Sequence, residues 1–171
     1  MSNLAGTLVI RPASHRDLDA IADLQTRSIM AFGVAAYGEE ACRAWARIGV
    51  QVRHTLLKSG SFFVAVKNDS LIGVAGWTKD SREPDCAWAR YVFVDPAHAR
   101  LGIGRNLMTA VERSAHAAGR SRLMLWASLN AVGFYEALGY RRVKPATWPV
   151  ADGIEMEHIL MENMPAGTRI D

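Results

Sequence analysis

The chain has 171 residues, of which 50% are hydrophobic and 22% are charged, and its formal net charge at pH 7 is +3. These values are typical of one soluble globular domain with a single core, and the charge is too small to predict a nucleic-acid partner. Cys42 and Cys86 have neither a disulfide framework nor metal-ligand spacing, and no stretch approaches the roughly 20 apolar residues of a membrane span. We therefore expect a cytoplasmic protein that uses no metal and binds neither a membrane nor a nucleic acid.

The N-terminal third predicts one strand followed by two helices. The strand covers residues 8–11, and Ser14-His15-Arg16-Asp17 has the spacing of a capping box at the start of a helix. We expect that helix to end at Gly33, and a second helix to run from near Gly38 to Gly60. The apolar stripes of the two helices are formed by Leu18, Ile21, Ala22 and Ile29, and by Ala41, Trp45, Ile48, Val52 and Leu56.

The middle and end of the chain predict further strands with helices between them. Residues 61–67 and 71–78 form a hairpin around Asn68-Asp69-Ser70, and Gly73 and Gly76 predict a bulge or a close approach to the backbone of its second strand. Other strands are predicted at residues 86–94, 121–127, 140–143 and 154–162, with a helix at 131–138 and a loop containing Pro145 and Pro149. This order predicts an α/β fold with a mixed sheet. We expect one domain over residues 1–162 and a short flexible tail over 163–171.

The most informative stretch runs from a strand through a glycine-containing loop into a helix. Residues 91–94 are β-branched and aromatic, which predicts a strand buried on both faces and ended by Pro96. From Gly104 onward apolar residues recur at helical spacing, and Gly119 is placed to cap the helix.

The start of this helix predicts an anion site. The first N–H groups of a helix have no internal partner, and Gly102 and Gly104 carry no side chain that would block an approaching ligand. Arg100 and Arg105 add positive charge, which favours a phosphate or a pyrophosphate over a plain turn. The loop lacks the Lys-Ser/Thr of a nucleotide-binding P-loop and the third glycine of a dinucleotide fingerprint.

Two motifs in this order resemble those of the GCN5-related N-acetyltransferase (GNAT) family. The first is Arg100-Leu101-Gly102-Ile103-Gly104-Arg105 after Val-x-Pro, and the second runs from Asn130 through Tyr135 to Tyr140. The resemblance covers about residues 9–162, with one departure at Ala99, where the family often has Gln or Arg. It implies a single α/β domain with a central mixed, mostly antiparallel twisted sheet, flanked by helices and splayed between the fourth and fifth strands.

The resemblance also implies an activity and a set of site residues. The activity is transfer of an acetyl group from acetyl-CoA to a primary amine, on a small molecule or a peptide, by direct attack. Tyr135 would be the general acid that protonates the leaving thiolate of coenzyme A. The residues implied to bind the cofactor are Val92, Phe93, Val94, Arg100, Leu101, Gly102, Ile103, Gly104, Arg105 and Asn130.

Several alternatives stay open at the level of sequence. Tyr135 could be a core tyrosine and Asn130 a helix N-cap, and Arg90 could clamp an acidic acceptor or be a structural arginine. The general base is undetermined, because residues 86–91 contain no carboxylate; the candidates are Glu39, Glu83, Asp85, His54 and His98. Competing functions are a non-catalytic acyl-CoA-binding or sensing module and a nucleoside-triphosphate site. The acceptor, the acyl-chain preference and a homodimeric state are also undetermined.

Overall fold

Seven strands form one sheet in the computed structural model, which describes residues 7–51, 57 and 61–163. The strands are β1 (Val9–Pro12), β2 (Phe62–Lys67), β3 (Ser70–Lys79), β4 (Cys86–Val94), β5 (Arg122–Ser128), β6 (Arg141–Ala151) and β7 (Ile154–Asn163). The helices are α1 (Leu18–Tyr37), α2 (Glu39–Gln51), α3 (Ile103–Ala117) and α4 (Val132–Glu136). Among the described helices, none combines the length and the apolar character that crossing a bilayer requires.

The sheet is mixed and mostly antiparallel, as predicted. Its strand order is β1-β2-β3-β4-β5-β7-β6, and the β4–β5 pair is parallel whereas the other pairs are antiparallel. β4 pairs with β5 only from Cys86 to Trp88, although both strands continue beyond this point. After Trp88 in β4 and Met124 in β5, the sides of the two strands that face each other are therefore not paired, and the sheet opens there.

Helices cover both faces of the sheet. Successive side chains of a strand point to opposite faces, so apolar residues of the strands pack against helices on both sides. Ile21 and Leu24 of α1 pack with Val64 on one face, and Leu107 and Val111 of α3 belong to the core cluster on the other. The predicted hairpin is confirmed: its turn has positive φ at Asn68 and Asp69. Both faces are thus closed by helices, and the opening between β4 and β5 lies between them.

Gly73 and Gly76 are sites of close approach, as predicted. A Cβ on Gly73 would lie 2.8 Å from Leu107 Cδ1, and a Cβ on Gly76 would lie 2.0 Å from Phe62 Cδ2. The β3–β4 register also shifts between Val74 and Gly76. Side chains at these positions would prevent the packing of α3 and of the β2 aromatic ring.

The predicted end of the first helix was wrong. α1 continues through Gly33 to Tyr37 and ends at Gly38, which has a φ of +81°. Gly33 is buried, and a Cβ there would lie 2.9 Å from Cys42 Sγ. This glycine therefore serves the close packing of α1 against α2. The predicted end of α2 at Gly60, with Val52 and Leu56, lies outside the described residues, as do residues 164–171 of the predicted tail.

The predicted loop containing Pro145 and Pro149 is part of a strand. β6 is an edge strand, and proline is tolerated on an edge because the side that lacks an N–H can face solvent. The helix predicted at residues 131–138 is shorter than expected, with a 3-10 turn at Leu129–Ala131 leading into α4. Asn130 lies within that turn and Ala131 is the N-cap of α4, so the N-cap alternative for Asn130 was wrong.

Candidate active site

The loop between β4 and α3 is held in place by Asp95. Its carboxylate accepts a hydrogen bond from the Ala97 N–H at 2.9 Å and pairs with Arg27 Nη2 of α1 at 2.6 Å. Arg100 and Gly102 then take positive φ values of 62° and 78°, which turn the chain into α3. The loop is thus fixed both to its own backbone and to the helix on the opposite face.

The start of α3 presents unpaired N–H groups. The Asn106 N–H donates to the Gly102 carbonyl as the first intrahelical bond, so the N–H groups of residues 103–105 have no acceptor within the helix. Arg100 and Arg105 flank them, and neither pairs with a carboxylate in the described part of the chain. The helix dipole and two guanidinium groups therefore make this end strongly positive.

Gly104 forms the floor of this anion site. It is buried in the first turn of α3, where a Cβ would lie 3.0 Å from Phe134 Cζ and 3.6 Å from Val94 Cγ2. Any side chain at this position would have to displace the Phe134 ring. Because that Cβ would point at Phe134 and Val94, Gly104 allows α3 to pack closely against these two residues of the cleft wall.

A cleft of about 660 Å³ begins at this site and brings together ten of the eleven predicted site residues. The exception is Leu101, whose side chain is 62% exposed and does not line the cleft. The prediction that residues 91–94 are buried on both faces was wrong: they are half-buried, because one side of this strand end faces the opening beside β5.

A second cleft, of about 690 Å³, adjoins the first. The two share Trp45, Val92, Phe93, Ser128, Ala131 and Tyr135. Aromatic rings dominate the walls of the second cleft, and its polar side chains are Gln25, Thr78, Arg90, Tyr91, Ser128, Tyr135 and His158. If one molecule occupied each cleft, the two molecules would therefore come into contact beside the residues that both clefts share.

Tyr135 lies at this junction. Its side chain is 7% exposed, and its ring packs edge to face against Phe134 at 5.0 Å and Tyr140 at 5.8 Å between centroids. Burial raises the pKa of Tyr135 above its ordinary value of 10, so the hydroxyl is protonated at neutral pH. The ring is thus a packed core group, whereas the hydroxyl is a proton donor at the boundary of two clefts.

His158 was missed by the sequence analysis. It lies on β7, is 5% exposed, and stacks on Trp148 with 4.4 Å between ring centroids. Its Nδ1 is 3.1 Å from the Met156 carbonyl oxygen, which only accepts, so the neutral ring carries its proton on Nδ1 and its lone pair on Nε2. Burial lowers the pKa of His158 below 6.5, so the ring is a neutral base at pH 7. The sequence indicated its burial only through its spacing, since His158 lies two residues from both Met156 and Leu160 and so shares their buried face of β7.

Tyr37 ties three elements together beside this histidine. Its hydroxyl donates to the Glu157 carbonyl at 2.6 Å and accepts from the Leu129 N–H at 2.7 Å. Its ring also stacks on His158 at 6.2 Å. The end of α1, strand β7 and the turn before α4 are therefore held in register, which fixes the imidazole relative to Tyr135.

Of the base candidates proposed from sequence, only His98 belongs to the described lining of a cleft. Glu39 pairs with Arg43 on the exposed start of α2, Glu83 pairs with Arg122, and Asp85 contacts Ser121. His98 lines the first cleft, 3.8 Å from Asp95 Oδ1, and His54 lies outside the described residues. None of the described carboxylates lines either cleft.

Cys86 does not provide a nucleophile. Its side chain is buried, and burial raises the pKa of its thiol, so the thiolate is disfavoured. Cys86 lines neither cleft.

Comparison with known proteins identifies the family. Residues 34–162 match the acetyltransferase (GNAT) domain family, and this chain belongs to it. An uncharacterized N-acetyltransferase of Methanocaldococcus jannaschii is 26% identical over 145 residues, which are 81% of this chain and 62% of that protein. An uncharacterized ycf52-like N-acetyltransferase of Prochlorococcus marinus is 31% identical over 94 residues, which are 55% of this chain and 51% of that protein. The chain thus spans less than two thirds of the length of either curated relative.

Solved structures share the fold. A GCN5-related N-acetyltransferase from Rhodopseudomonas palustris superposes with a TM-score of 0.78 at 24% identity, covering 96% of this chain and 99% of that one. The PaiA N-acetyltransferase of Thermoplasma acidophilum, crystallised with coenzyme A, gives a TM-score of 0.74 at 21% identity, with 92% and 99% of the two chains covered.

Proposed function

We propose that this protein is an N-acetyltransferase that uses acetyl-CoA and transfers the acetyl group to a primary amine by direct attack. The observation that carries the proposal is the meeting of two clefts at Tyr135, one of which begins at unpaired N–H groups flanked by two arginines. Such an arrangement suits a long anionic donor on one side and an acceptor on the other. The family and the coenzyme A complex of the PaiA structure are consistent with this assignment.

The residues of the first cleft fit acetyl-CoA. The N–H groups of residues 103–105, with Arg100 and Arg105, would hold the diphosphate, and Asn130 is an exposed polar side chain further along the cleft. The β5-facing edge of residues 92–94 has no strand across from it, so its main-chain groups are available to an extended ligand. Acetyl-CoA supplies an acetyl group activated as a thioester.

Two side chains handle the protons. His158 Nε2 accepts a proton from the amine, which at neutral pH is mostly an ammonium ion. Tyr135 donates its hydroxyl proton to the leaving sulfur, and the second proton that the amine loses as the amide forms returns to the Tyr135 oxygen. The raised pKa of Tyr135 favours that return and keeps the hydroxyl protonated between turnovers. The two groups line the same cleft, and each is held by packing against aromatic rings.

The test combines calorimetry with an assay of thiol release from acetyl-CoA over a panel of amines. Tyr135→Phe should bind acetyl-CoA with unchanged affinity and lower kcat by about 10²- to 10⁴-fold, the usual contribution of a positioned acid. Tyr140→Phe is the matched control, because it removes a hydroxyl that bonds Glu112 and lies in neither cleft.

The outcomes separate the competing functions. If the Tyr135→Phe variant turns over as fast as the wild type, Tyr135 is not the acid. If acetyl-CoA binds but no amine supports thiol release, the protein is a non-catalytic acyl-CoA-binding module. Binding of ATP with magnesium in place of acetyl-CoA would favour a nucleotide site.

A further inference from the structure

We propose that the acceptor is an amine that bears a carboxylate on a flat apolar body, with the carboxylate bound by Arg90 in the second cleft. The inference rests on the proposed function and adds the chemical class of its acceptor. It depends on a cation that has no ion-pair partner among the described residues, on the lack of aspartate and glutamate in the described lining of the clefts, and on the aromatic walls of the second cleft.

Arg90 is a half-buried cation without an anionic partner. It lies on β4 in the lining of the second cleft, with its guanidinium carbon 5.2 Å from the centroid of the Trp88 ring. Within residues 7–51, 57 and 61–163, no carboxylate lies within ion-pair distance of it. Burial disfavours its charge and lowers its pKa, and buried charges in folded proteins are normally paired.

Asp80 favours the charge of Arg90 from a distance but forms no ion pair with it in the described part of the chain. Its carboxylate is already occupied by the Trp88 indole N–H at 2.6 Å and by the N–H groups of Arg82 and Glu83. The guanidinium of Arg90 lies over the ring of Trp88. An arginine held in this way matches a carboxylate, which it can bind through two parallel hydrogen bonds.

The surroundings of Arg90 disfavour acceptors with additional positive charge. Neither cleft has an aspartate or glutamate in its described lining. A polyamine or a lysine-rich peptide would therefore place a second cation near Arg90 with no counter-charge.

The walls of the second cleft suit a flat apolar body. Trp126 and Trp148 pack edge to face at 4.9 Å, and Trp45 packs against Phe93 at 6.1 Å. All four rings line the cleft. Gln25, a residue that is 3% exposed, also lines the cleft and offers its amide to a polar atom of the acceptor.

The experiment uses two pairs of amines that differ only in a carboxylate: tryptophan with tryptamine, and 4-(aminomethyl)benzoate with benzylamine. The amine and the carboxylate are further apart in 4-(aminomethyl)benzoate than in tryptophan, so the two pairs test two different separations. Values of kcat/KM are measured by thiol release for the wild type, for Arg90→Met and for Arg113→Gln. Arg113 is an exposed residue of α3 outside both clefts, so its variant controls for the loss of one positive charge.

In the wild type, at least one carboxylate-bearing amine should exceed its partner by about 10- to 100-fold, since hydrogen bonds to charged groups are of that strength. The ratio should fall to about one in Arg90→Met and stay unchanged in Arg113→Gln. Equal rates within both pairs, or a ratio that Arg90→Met leaves unchanged, would overturn the inference.

Binding without turnover separates this inference from the proposed function. Three tryptophans line the second cleft, so binding of 4-(aminomethyl)benzoate and of benzylamine can be followed by intrinsic fluorescence. If the carboxylate binds in an Arg90-dependent manner but no amine is acetylated, the proposed function fails and the carboxylate site stands. If amines are acetylated but binding does not depend on Arg90, the carboxylate site is wrong.

Discussion

Replacing His158 by glutamine should change both the rate of acetyl transfer and its dependence on pH. The imidazole is the one neutral base in the described lining of the second cleft, and its Nε2 is left without a proton by the Nδ1 hydrogen bond to Met156. Without it, the ammonium form of the acceptor has no group in that lining to take its proton. The variant should then react only with the fraction of amine that is neutral in solution.

The size of the loss follows from that fraction. An alkyl amine with a pKa of about 10.4 is about one part in a thousand neutral at pH 7.4. The variant should therefore lose up to about 10³-fold in kcat/KM, or about 4 kcal/mol of transition-state stabilisation. The loss should shrink about tenfold with each unit of pH, since the neutral fraction grows at that rate.

The pH profile of the wild type has a defined sign. Burial lowers the pKa of His158 below 6.5, so the base form is present above that pKa and activity is lost as the pH falls through it. The other titratable groups that stack on the ring or line the same cleft are Tyr37, Arg90, Tyr91 and Tyr135. A phenol or a guanidinium ordinarily titrates near or above pH 10, so these groups do not produce an acid limb below pH 6.5.

The assay is thiol release from saturating acetyl-CoA between pH 5 and about pH 10, with circular dichroism and acetyl-CoA affinity as checks on folding. His98→Gln is the matched control, because His98 is the other described imidazole that lines the clefts, and the variant should keep the acid limb. A His158→Gln variant that stays within about threefold of the wild type at pH 7.4, with the same profile, would refute the role of His158 as base.

Two further predictions concern the anion site and the N-terminal packing. Gly104→Ala should weaken coenzyme A binding about tenfold by calorimetry, since its Cβ would lie 3.0 Å from Phe134 Cζ, whereas Gly133→Ala, with nothing within 4 Å, should bind as the wild type does. Hydrogen bonds from Arg11 and Ser14 lower the pKa of Asp17 to about 2, so the carboxylate stabilises the fold above about pH 4 and this contribution is lost as the pH falls towards 2. Asp17→Asn should therefore cost about 1–3 kcal/mol in urea unfolding at pH 7 and less at pH 3; an equal cost at both would contradict this.

The strand, loop and helix of the anion site could be predicted from sequence because they depend on local chemistry. Pro96 ends a strand, glycines open the turn, and the unpaired N–H groups of α3 belong to any helix start. These signals lie within a few residues of one another, and the structure forms the predicted strand, loop and helix. It departs from the prediction in that residues 91–94 are half-buried and Leu101 does not line the cleft.

The remaining features depend on contacts between distant parts of the chain. His158 faces Tyr37 and Trp45 only because β7 lies between β5 and β6, beside the ends of α1 and α2. A glycine such as Gly33 indicates the end of a helix when only the sequence is known. In the structure, the close contact of α1 with Cys42 of α2 explains why a glycine is at this position. The prolines of β6 indicate a loop unless the strand is known to be at an edge, and strand order is a tertiary property.

The position of Pro145 and Pro149 also affects how copies of the protein can associate. β6 is an edge strand, and an edge strand with unpaired N–H groups can pair with a strand from another molecule. Pro145 and Pro149 have no N–H group to donate, so the row of donors along β6 is interrupted. Growth of the sheet from one molecule into the next is therefore disfavoured along β6.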